Sequence, residues 1–475
     1  MNSELFLYMR HEIILSAIAL IVLVSELILS PQKKDKTIPI LISLFFLNTV
    51  SGFLPIDTGS IFGGMYRTSP LVILMKNILN TGVFIIFLQS AGWLKTNLTG
   101  QHNMGGYFFI LISCLIGMDF MISSGDFLMF YIGLELATIP LAALVALEKI
   151  KEQSSEAGVK LILSAALSSG ILLFGISILY GTGGSVYFSN VSAAFQNNNL
   201  QILAFIFIFT GIAFKISIVP FHLWTADVYE GAPVNVTSYL SVISKASAVF
   251  ILIILLFTVF NKIEDIWNSV LFYTSVLTMT IGNLFAIRQK NLKRFLAFSS
   301  IAQAGFIPLG IIGGSELGFS SVIYFLLIYL FSNLGAFGVV SVISNATGKE
   351  NMDDYNGLYM TNKGLSLVMM LSLFSLAGIP PVAGFFGKFF LFTSAAREGY
   401  FILVFIAVVN ATISLYYYLL VVKAMFINKN ESPVESIKND AYTKLSLVIC
   451  TIAIIVIGFA GEIFEYINSL TFGIK

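Results

Sequence analysis

Charged side chains are scarce in this sequence. Asp, Glu, Lys and Arg make up 11% of its 475 residues, whereas soluble domains carry about 25%. Apolar residues reach 57%, and no polar stretch is long enough to fold as a separate soluble domain. These proportions exclude an ordinary soluble globular protein and predict an integral membrane protein.

Cysteine, histidine and net charge are also low, and each shortage excludes a class of site. The two cysteines, Cys114 and Cys450, lie in apolar runs, so we expect small core residues and no disulfide framework. Three histidines and no Cys/His cluster give no reason to expect zinc, haem or an iron–sulfur centre. The net charge of +1 gives no reason to expect nucleic acid. Any redox chemistry must therefore belong to other chains.

Long apolar runs are what the sequence has instead. A helix needs about 20 mostly apolar residues to cross a bilayer. The first run follows charged residues and has no convincing cleavage site, so we expect an uncleaved helix and no signal peptide. The runs predict fourteen transmembrane helices, near 12–30, 37–54, 70–93, 106–122, 125–147, 158–180, 200–222, 233–259, 267–287, 295–313, 318–345, 364–396, 400–427 and 442–466.

The distribution of positive charge predicts an orientation. Cytoplasmic loops of membrane proteins are enriched in Lys and Arg. An even number of helices puts both termini on one side, and we expect that to be the non-cytoplasmic side. Of the 26 Lys and Arg, three then lie in the membrane and six lie outside, namely Arg10, Arg67, Lys76, Lys262, Arg397 and Lys475. The remaining seventeen lie in cytoplasmic loops, as Lys293 does, or near cytoplasmic helix ends. With no targeting segment, we expect a bacterial plasma membrane; an organelle-encoded copy is the alternative.

Two predicted helices are interrupted by proline, one at Pro220 and the other at Pro380 and Pro381. Proline removes a backbone donor, and in lipid the freed carbonyls must find protein or water partners. Paired interrupted helices are typical of inverted repeats with a binding site at the break; two unrelated kinks are the alternative. We predict an N-terminal three-helix segment, two inverted five-helix repeats and a C-terminal loop with the final helix, at 1–105, 106–259, 260–427 and 428–475.

Four ionisable residues lie deep inside these runs: Glu135, Lys215, Lys245 and Lys388. From Asp126 to Glu135 a helix rises about 14 Å, close to mid-membrane. A charge there costs from ~3 to over 10 kcal/mol, so we expect a function for it, with static salt bridges or snorkelling as the alternatives. Desolvation disfavours a charged lysine and a nearby carboxylate favours it. Glu135 opposite Lys215 would therefore switch proton binding, and Lys245 and Lys388 would continue the row.

Other polar residues carry weaker predictions. His222 could carry protons along a water chain or be simply hydrogen-bonded. We expect Asp227 and Glu230 to cap the next helix or bind loop backbone, with proton transfer as the alternative. We expect Ser299 and Ser300 to let helices approach closely, with the lining of a hydrated path as the alternative.

Several stretches resemble one family. FKISIVPFHLWTADVYEGAP (214–233), YIGLELATIPLAAL (131–144), SVISKASA (241–248) and LAGIPPVAGFFGKFFLF (376–392) resemble the antiporter-like membrane subunits of respiratory complex I, the NADH-quinone oxidoreductase. They follow the order of that family. The first hundred residues and the last fifty match only in hydropathy.

The resemblance implies a function and partners. It implies that Glu135, Lys215, Lys245 and Lys388 form the proton relay of the family, and that Lys160 tunes it. It also implies partnership with other membrane subunits of complex I. Flavin, iron–sulfur clusters and quinone would lie in partner subunits, and this chain would hold no cofactor and no metal. A subunit of a Na⁺/H⁺ antiporter and a structural scaffold are the alternatives.

Overall fold

The computed structural model describes residues 7–29, 37–55, 57–97, 104–148 and 151–471. The prediction that both termini lie on the non-cytoplasmic side concerns residues 1–6 and 472–475, which lie outside the described part. The described residues are mostly helical and contain one short hairpin. This confirms the predicted all-α polytopic class.

The longer helices follow the apolar runs. Within the described residues, twelve helical segments are long and apolar enough to cross a membrane, and Thr37–Ser51 and Lys363–Ala377 are shorter. The count of fourteen spans therefore stays a prediction. The helices used below are α1 (Arg10–Ile28), α2 (Thr37–Ser51), α3 (Pro70–Asn97), α4 (Met104–Ile122), α5 (Phe127–Leu136), α6 (Ile139–Val145), α7 (Glu152–Gly183), α8 (Phe188–Ala194), α9 (Asn199–Ile216), α10 (Leu223–Gly231), α11 (Val234–Ser238) and α12 (Lys245–Thr258).

The second half of the chain continues in the same way. Its helices are α13 (Glu264–Ala286), α14 (Leu292–Phe306), α15 (Pro308–Ile311), α16 (Glu316–Thr347), α17 (Leu358–Thr361), α18 (Lys363–Ala377), α19 (Ala383–Arg397), α20 (Phe401–Phe426), α21 (Ala441–Phe459) and α22 (Gly461–Thr471). The hairpin joins β1 (Gly59–Ile61) to β2 (Tyr66–Thr68) in antiparallel register.

Both predicted interruptions are present. The helix containing Lys215 ends at Ile216 and helical structure resumes at Leu223, while the later helix ends at Ala377 and resumes at Ala383. The prolines lie in these gaps, where their missing N–H groups leave carbonyls of the preceding turn without backbone partners.

A third interruption was not predicted. The expected helix over 125–147 is divided into α5 and α6 by a turn at Ala137 and Thr138. Pro140 lies in the first turn of α6, and its ring crowds the carbonyl of Leu136, four residues earlier. The expected helix over 233–259 also contains a π-helical stretch, Tyr239–Ser244, directly before Lys245. π-Helical segments inside α-helices occur frequently at functional sites.

The chain forms two compact units. One comprises Met1–Lys215 and Ile243–Glu264, and the other comprises Ile216–Val242 and Asp265–Lys475. In chain order, a 32-residue helix precedes each proline-interrupted helix: α7 in the first case and α16 in the second. Each of these long helices ends at a glycine with positive φ, Gly184 or Gly348. This recurrence is the pattern that a repeat predicts; the predicted domain boundaries stay predictions.

Candidate functional site

Lys215 in the first unit is held by neutral oxygen atoms. It lies one residue before the end of α9 and is 7% exposed. Its Nζ donates to Thr138 Oγ1 and to the carbonyl oxygen of Leu134, the latter at 3.4 Å. An ammonium group buried in an apolar bundle needs such partners, because an unpaired one is very costly. The turn between α5 and α6 therefore supplies the lysine's partners.

The Leu134 carbonyl is available because the helix breaks there. The N–H of Thr138 bonds the carbonyl of Glu135 at 3.0 Å, one residue short of the usual α-helical acceptor. The Leu134 oxygen instead accepts the hydroxyl of Thr138 at 2.6 Å and the ammonium of Lys215. The interruption that Pro140 favours thus creates the acceptor.

Glu135 lies beside this group without bonding it directly. It interacts electrostatically with Lys215 and with Tyr131, and its buried Oε1 has no hydrogen-bond partner among the described residues. The structure therefore brings the two members of the predicted switching pair to one place. Their role in proton transfer stays a prediction.

Two glycines set the position of Glu135. A Cβ added to Gly133 would lie 2.6 Å from the backbone nitrogen of Met121 and 2.7 Å from the carbonyl of Gly117. Helices α4 and α5 approach this closely because small residues allow backbone contact.

We expect Gly133→Ala to lower stability and the predicted proton transfer together. The added methyl group forces the two helices apart, and overpacking of this kind costs about 1–3 kcal/mol. Thermal denaturation of the purified assembly and proton uptake by reconstituted vesicles measure the two effects. Gly170→Ala is the matched control, because a Cβ there meets nothing within 4 Å. Equal behaviour of the two variants would contradict the role of this contact.

Lys245 and Lys160 also lie in the first unit. Lys245 begins α12, is 2% exposed, and its helix packs against α4. Cys114 of α4 interacts electrostatically with Lys215, so α4 is a common neighbour of Lys215 and of the helix carrying Lys245. Lys160 lies in α7, where it forms an ion pair with Glu156 at 2.7 Å and is 42% exposed.

Lys388 in the second unit repeats the chemistry of Lys215. It is 4% exposed, and its Nζ donates to the carbonyls of Leu376 and Ala377 at 2.8 and 3.0 Å. These are among the last carbonyls of α18, which have no partners within the helix. Both lysines therefore bind carbonyls that a helix interruption has released. The negative end of the α18 dipole also favours a cation there.

A chain of polar side chains leads away from the Lys388 site. The Leu376 carbonyl also accepts from Gln303 Nε2 at 2.8 Å, and Gln303 donates to the hydroxyl of Tyr418 at 3.1 Å. Tyr418 is in turn hydrogen-bonded to Ser299 at 2.5 Å. Sequence reasoning missed Gln303 and Tyr418, although polar residues inside apolar runs were a visible signal.

Three of the residues named in the sequence analysis lie near the first proline interruption. His222 lies directly before α10 and is 8% exposed, beside the Pro220 carbonyl. Asp227 and Glu230 were expected to cap a helix or bind loop backbone, and this was wrong. They lie in α10 itself, and each accepts from Arg294 Nη1 at 2.8 Å.

Two residues that were sorted as loop charges are buried and paired instead. Lys76 was counted as an outside charge, but it lies in α3 and is 1% exposed, paired with Glu12. Lys293 was counted as a cytoplasmic loop charge, but it lies in α14, is 7% exposed and is paired with Glu350 at 3.2 Å. The buried Asp119 in α4 was overlooked. For Lys76 and Asp119, a charge inside an apolar run was the signal.

The arrangement has a definite chemical capacity. The ammonium groups of Lys215 and Lys388 are stabilised by neutral hydroxyl and carbonyl oxygens. When either lysine loses its proton, no directly bonded carboxylate is left without its counter-charge. Breaking a direct buried ion pair would be far more costly. Such lysines are suited to exchange protons. The described residues contain no group of three or more His, Cys, Asp or Glu that could hold a metal ion.

Comparison with known proteins places this arrangement in a family. Residues 124–414 match the family described as NADH:quinone oxidoreductase/Mrp antiporter, transmembrane. NADH-quinone oxidoreductase subunit N of Azobacteroides pseudotrichonymphae genomovar. CFP2 is 50% identical over 100% of this chain and 99% of that protein.

Solved structures share the fold. A chain of respiratory complex I from Thermus thermophilus is 26% identical with a TM-score of 0.81, over 95% of this chain and 97% of that one. A chain of the Mrp complex from Dietzia sp. DQ12-45-1b has a TM-score of 0.88 at 18% identity, over 99% and 97%. From these matches we conclude that the chain belongs to the NADH:quinone oxidoreductase/Mrp antiporter family of membrane proteins.

Proposed function

We propose that this chain is a proton-translocating membrane subunit of an NADH-quinone oxidoreductase. The observation that carries the proposal is the pair of buried lysines held by carbonyls released at helix interruptions, in a chain similar over its full length to a protein named NADH-quinone oxidoreductase subunit N. Electron transfer from NADH to a quinone in other subunits would supply the energy. Flavin, iron–sulfur clusters and quinone would be held by those subunits, and the assembly would lie in a bacterial plasma membrane.

In the proposed mechanism, Glu135 and Lys215 act as the switching pair. When Glu135 is charged and near, it favours a protonated Lys215; when its influence weakens, burial favours release of the proton. The proton would pass toward Lys245. Lys388 would act in the second unit, and His222 and Lys160 would serve the access paths.

The second candidate is a subunit of a Na⁺/H⁺ antiporter. The observation that favours it is the similarity of fold to a chain of the Mrp complex. That similarity comes with only 18% identity, against 50% for the relative named as an oxidoreductase subunit. The oxidoreductase assignment is therefore the better supported of the two.

Purification of the tagged chain in mild detergent, from membranes of the organism that produces it, tests the assignment. We expect it to copurify with flavin- and iron–sulfur-containing subunits that oxidise NADH. Vesicles reconstituted with this assembly should take up protons when NADH and a quinone are added, and an uncoupler should abolish the gradient. Isolation of an assembly that exchanges Na⁺ for H⁺ and has no NADH oxidation would contradict the proposal and support the antiporter.

A further inference from the structure

A second group of buried ionisable residues lies outside the predicted relay. Glu12 of α1, Lys76 of α3 and Asp119 of α4 are 1%, 1% and 0% exposed. All three belong to the first unit and precede the stretch 124–414 that matches the family. The predicted relay uses none of them.

Two of the three form a closed pair. Lys76 Nζ is bonded to a carboxylate oxygen of Glu12 and donates to the hydroxyl of Tyr66 at 2.9 Å. That hydroxyl donates to Glu12 at 3.1 Å. Tyr66 lies in β2, outside the membrane spans, and burial raises the pKa of its phenol to about 12, so it keeps its proton as a donor. Lys76 and Glu12 thus neutralise each other.

Asp119 is the member left over. It is completely buried, and neither of its carboxyl oxygens has a hydrogen-bond partner among the described residues. It faces the pair closely enough to interact electrostatically with both Lys76 and Glu12. Lys76 is therefore the cation near two carboxyl groups, and it is bonded to Glu12 and not to Asp119. An ionised carboxylate in this position would be buried without compensation, which proteins avoid by neutralising the group.

We propose that Asp119 is a proton-binding site: its carboxylate binds one H⁺ (as hydronium from the aqueous solution, which leaves water) and becomes a neutral carboxylic acid, while Glu12 and Lys76 stay ionised. A proton fits better than a metal cation, because the ammonium of Lys76 already occupies the cationic position beside the carboxylates. Tyr66 and His11 also act electrostatically on the pair, and His11 is bonded through Nε2 to Asn77 at 3.0 Å. This inference does not depend on the relay.

Infrared spectroscopy of the resting assembly, purified at neutral pH in sodium-free buffer, tests the proposal. The carbonyl band of a carboxylic acid is separate from that of a carboxylate. We expect the difference spectrum of Asp119→Asn minus wild type to show one negative carboxylic acid band, with assembly maintained because asparagine is nearly isosteric with the protonated acid. The exposed Asp265 provides the control: Asp265→Asn should leave that band unchanged.

Further variants make the result decisive. Lys76→Met removes the partner of Glu12 and should add a second carboxylic acid band, which Glu12→Gln in the same background should remove. If Asp119→Asn does not assemble, Asp119→Glu should shift the frequency of the band instead. A spectrum of Asp119→Asn or Asp119→Glu identical to wild type in this region would overturn the proposal. Loss of the wild-type band on addition of Na⁺ would also overturn it, because the site would then take a metal cation.

Discussion

Replacing Lys215 by alanine abolishes or sharply reduces proton pumping and leaves the assembly largely intact. The variant removes the ammonium that bonds Thr138 and the Leu134 carbonyl and that Glu135 influences electrostatically. A positioned group that transfers protons typically contributes a hundredfold or more to a rate, so we expect a fall in pumping of at least about tenfold. NADH-driven acidification of reconstituted vesicles measures this, and native gel electrophoresis measures assembly.

The control for Lys215 is a lysine in an apolar helix that the relay does not use. Lys423 lies in the last turn of α20 and is exposed, so Lys423→Ala should pump normally. Lys215→Arg sharpens the test. Arginine keeps the positive charge and can donate the same hydrogen bonds, but it does not release its proton in proteins. Pumping by Lys215→Arg should therefore remain low although the contacts of the side chain are kept. Normal pumping by Lys215→Ala would contradict the proposed proton relay.

Replacing Lys388 by methionine should have an effect of the same size by a related cause. The variant keeps the apolar stem but removes the only charged donor to the Leu376 and Ala377 carbonyls among the described residues. Leu376 retains Gln303 as a donor, whereas the Ala377 carbonyl loses the lysine. We expect pumping to fall about tenfold or more, measured by acidification of vesicles at matched amounts of assembled protein.

Two comparisons separate a proton role of Lys388 from a structural one. Lys388→Arg should restore thermal stability toward wild type, since the guanidinium can donate to the same carbonyls, but it should not restore pumping. Lys363→Met, at the exposed start of α18, should change neither property. If Lys388→Arg pumps like wild type, the lysine is a structural clamp and the relay does not need proton exchange at this position.

The scarcity of charge made the membrane class and the buried lysines predictable. Hydropathy predicts the long apolar helices, and proline chemistry predicts the two interruptions near Pro220 and Pro380, because both depend on residues close in sequence. The division between α5 and α6 also has a cause close in sequence, because Pro140 lies beside it, but it was overlooked. The same is true of Asp119 in α4.

The errors at Lys76 and Asp227 have a different origin. Lys76 lies near the end of an apolar run, where a lysine usually reaches the interface. Its burial depends on Glu12, 64 residues earlier in the chain. Asp227 was expected to bind local backbone, and it binds Arg294, 67 residues later. Sequence distance hides these pairs, because any of several charges could have supplied the partner.

The sequence by itself determined that this chain crosses a membrane, that a few ionisable groups lie inside it, and that prolines release backbone carbonyls. Tertiary packing alone decided which atoms surround each buried group. Lys215 binds oxygens at the break between α5 and α6, and Lys388 binds carbonyls at the end of α18. Asp119 lies near a lysine that is already bonded to Glu12. The reason is physical. Hydropathy and proline effects are properties of short segments, whereas solvation of a buried charge depends on atoms brought near it by helices distant in sequence.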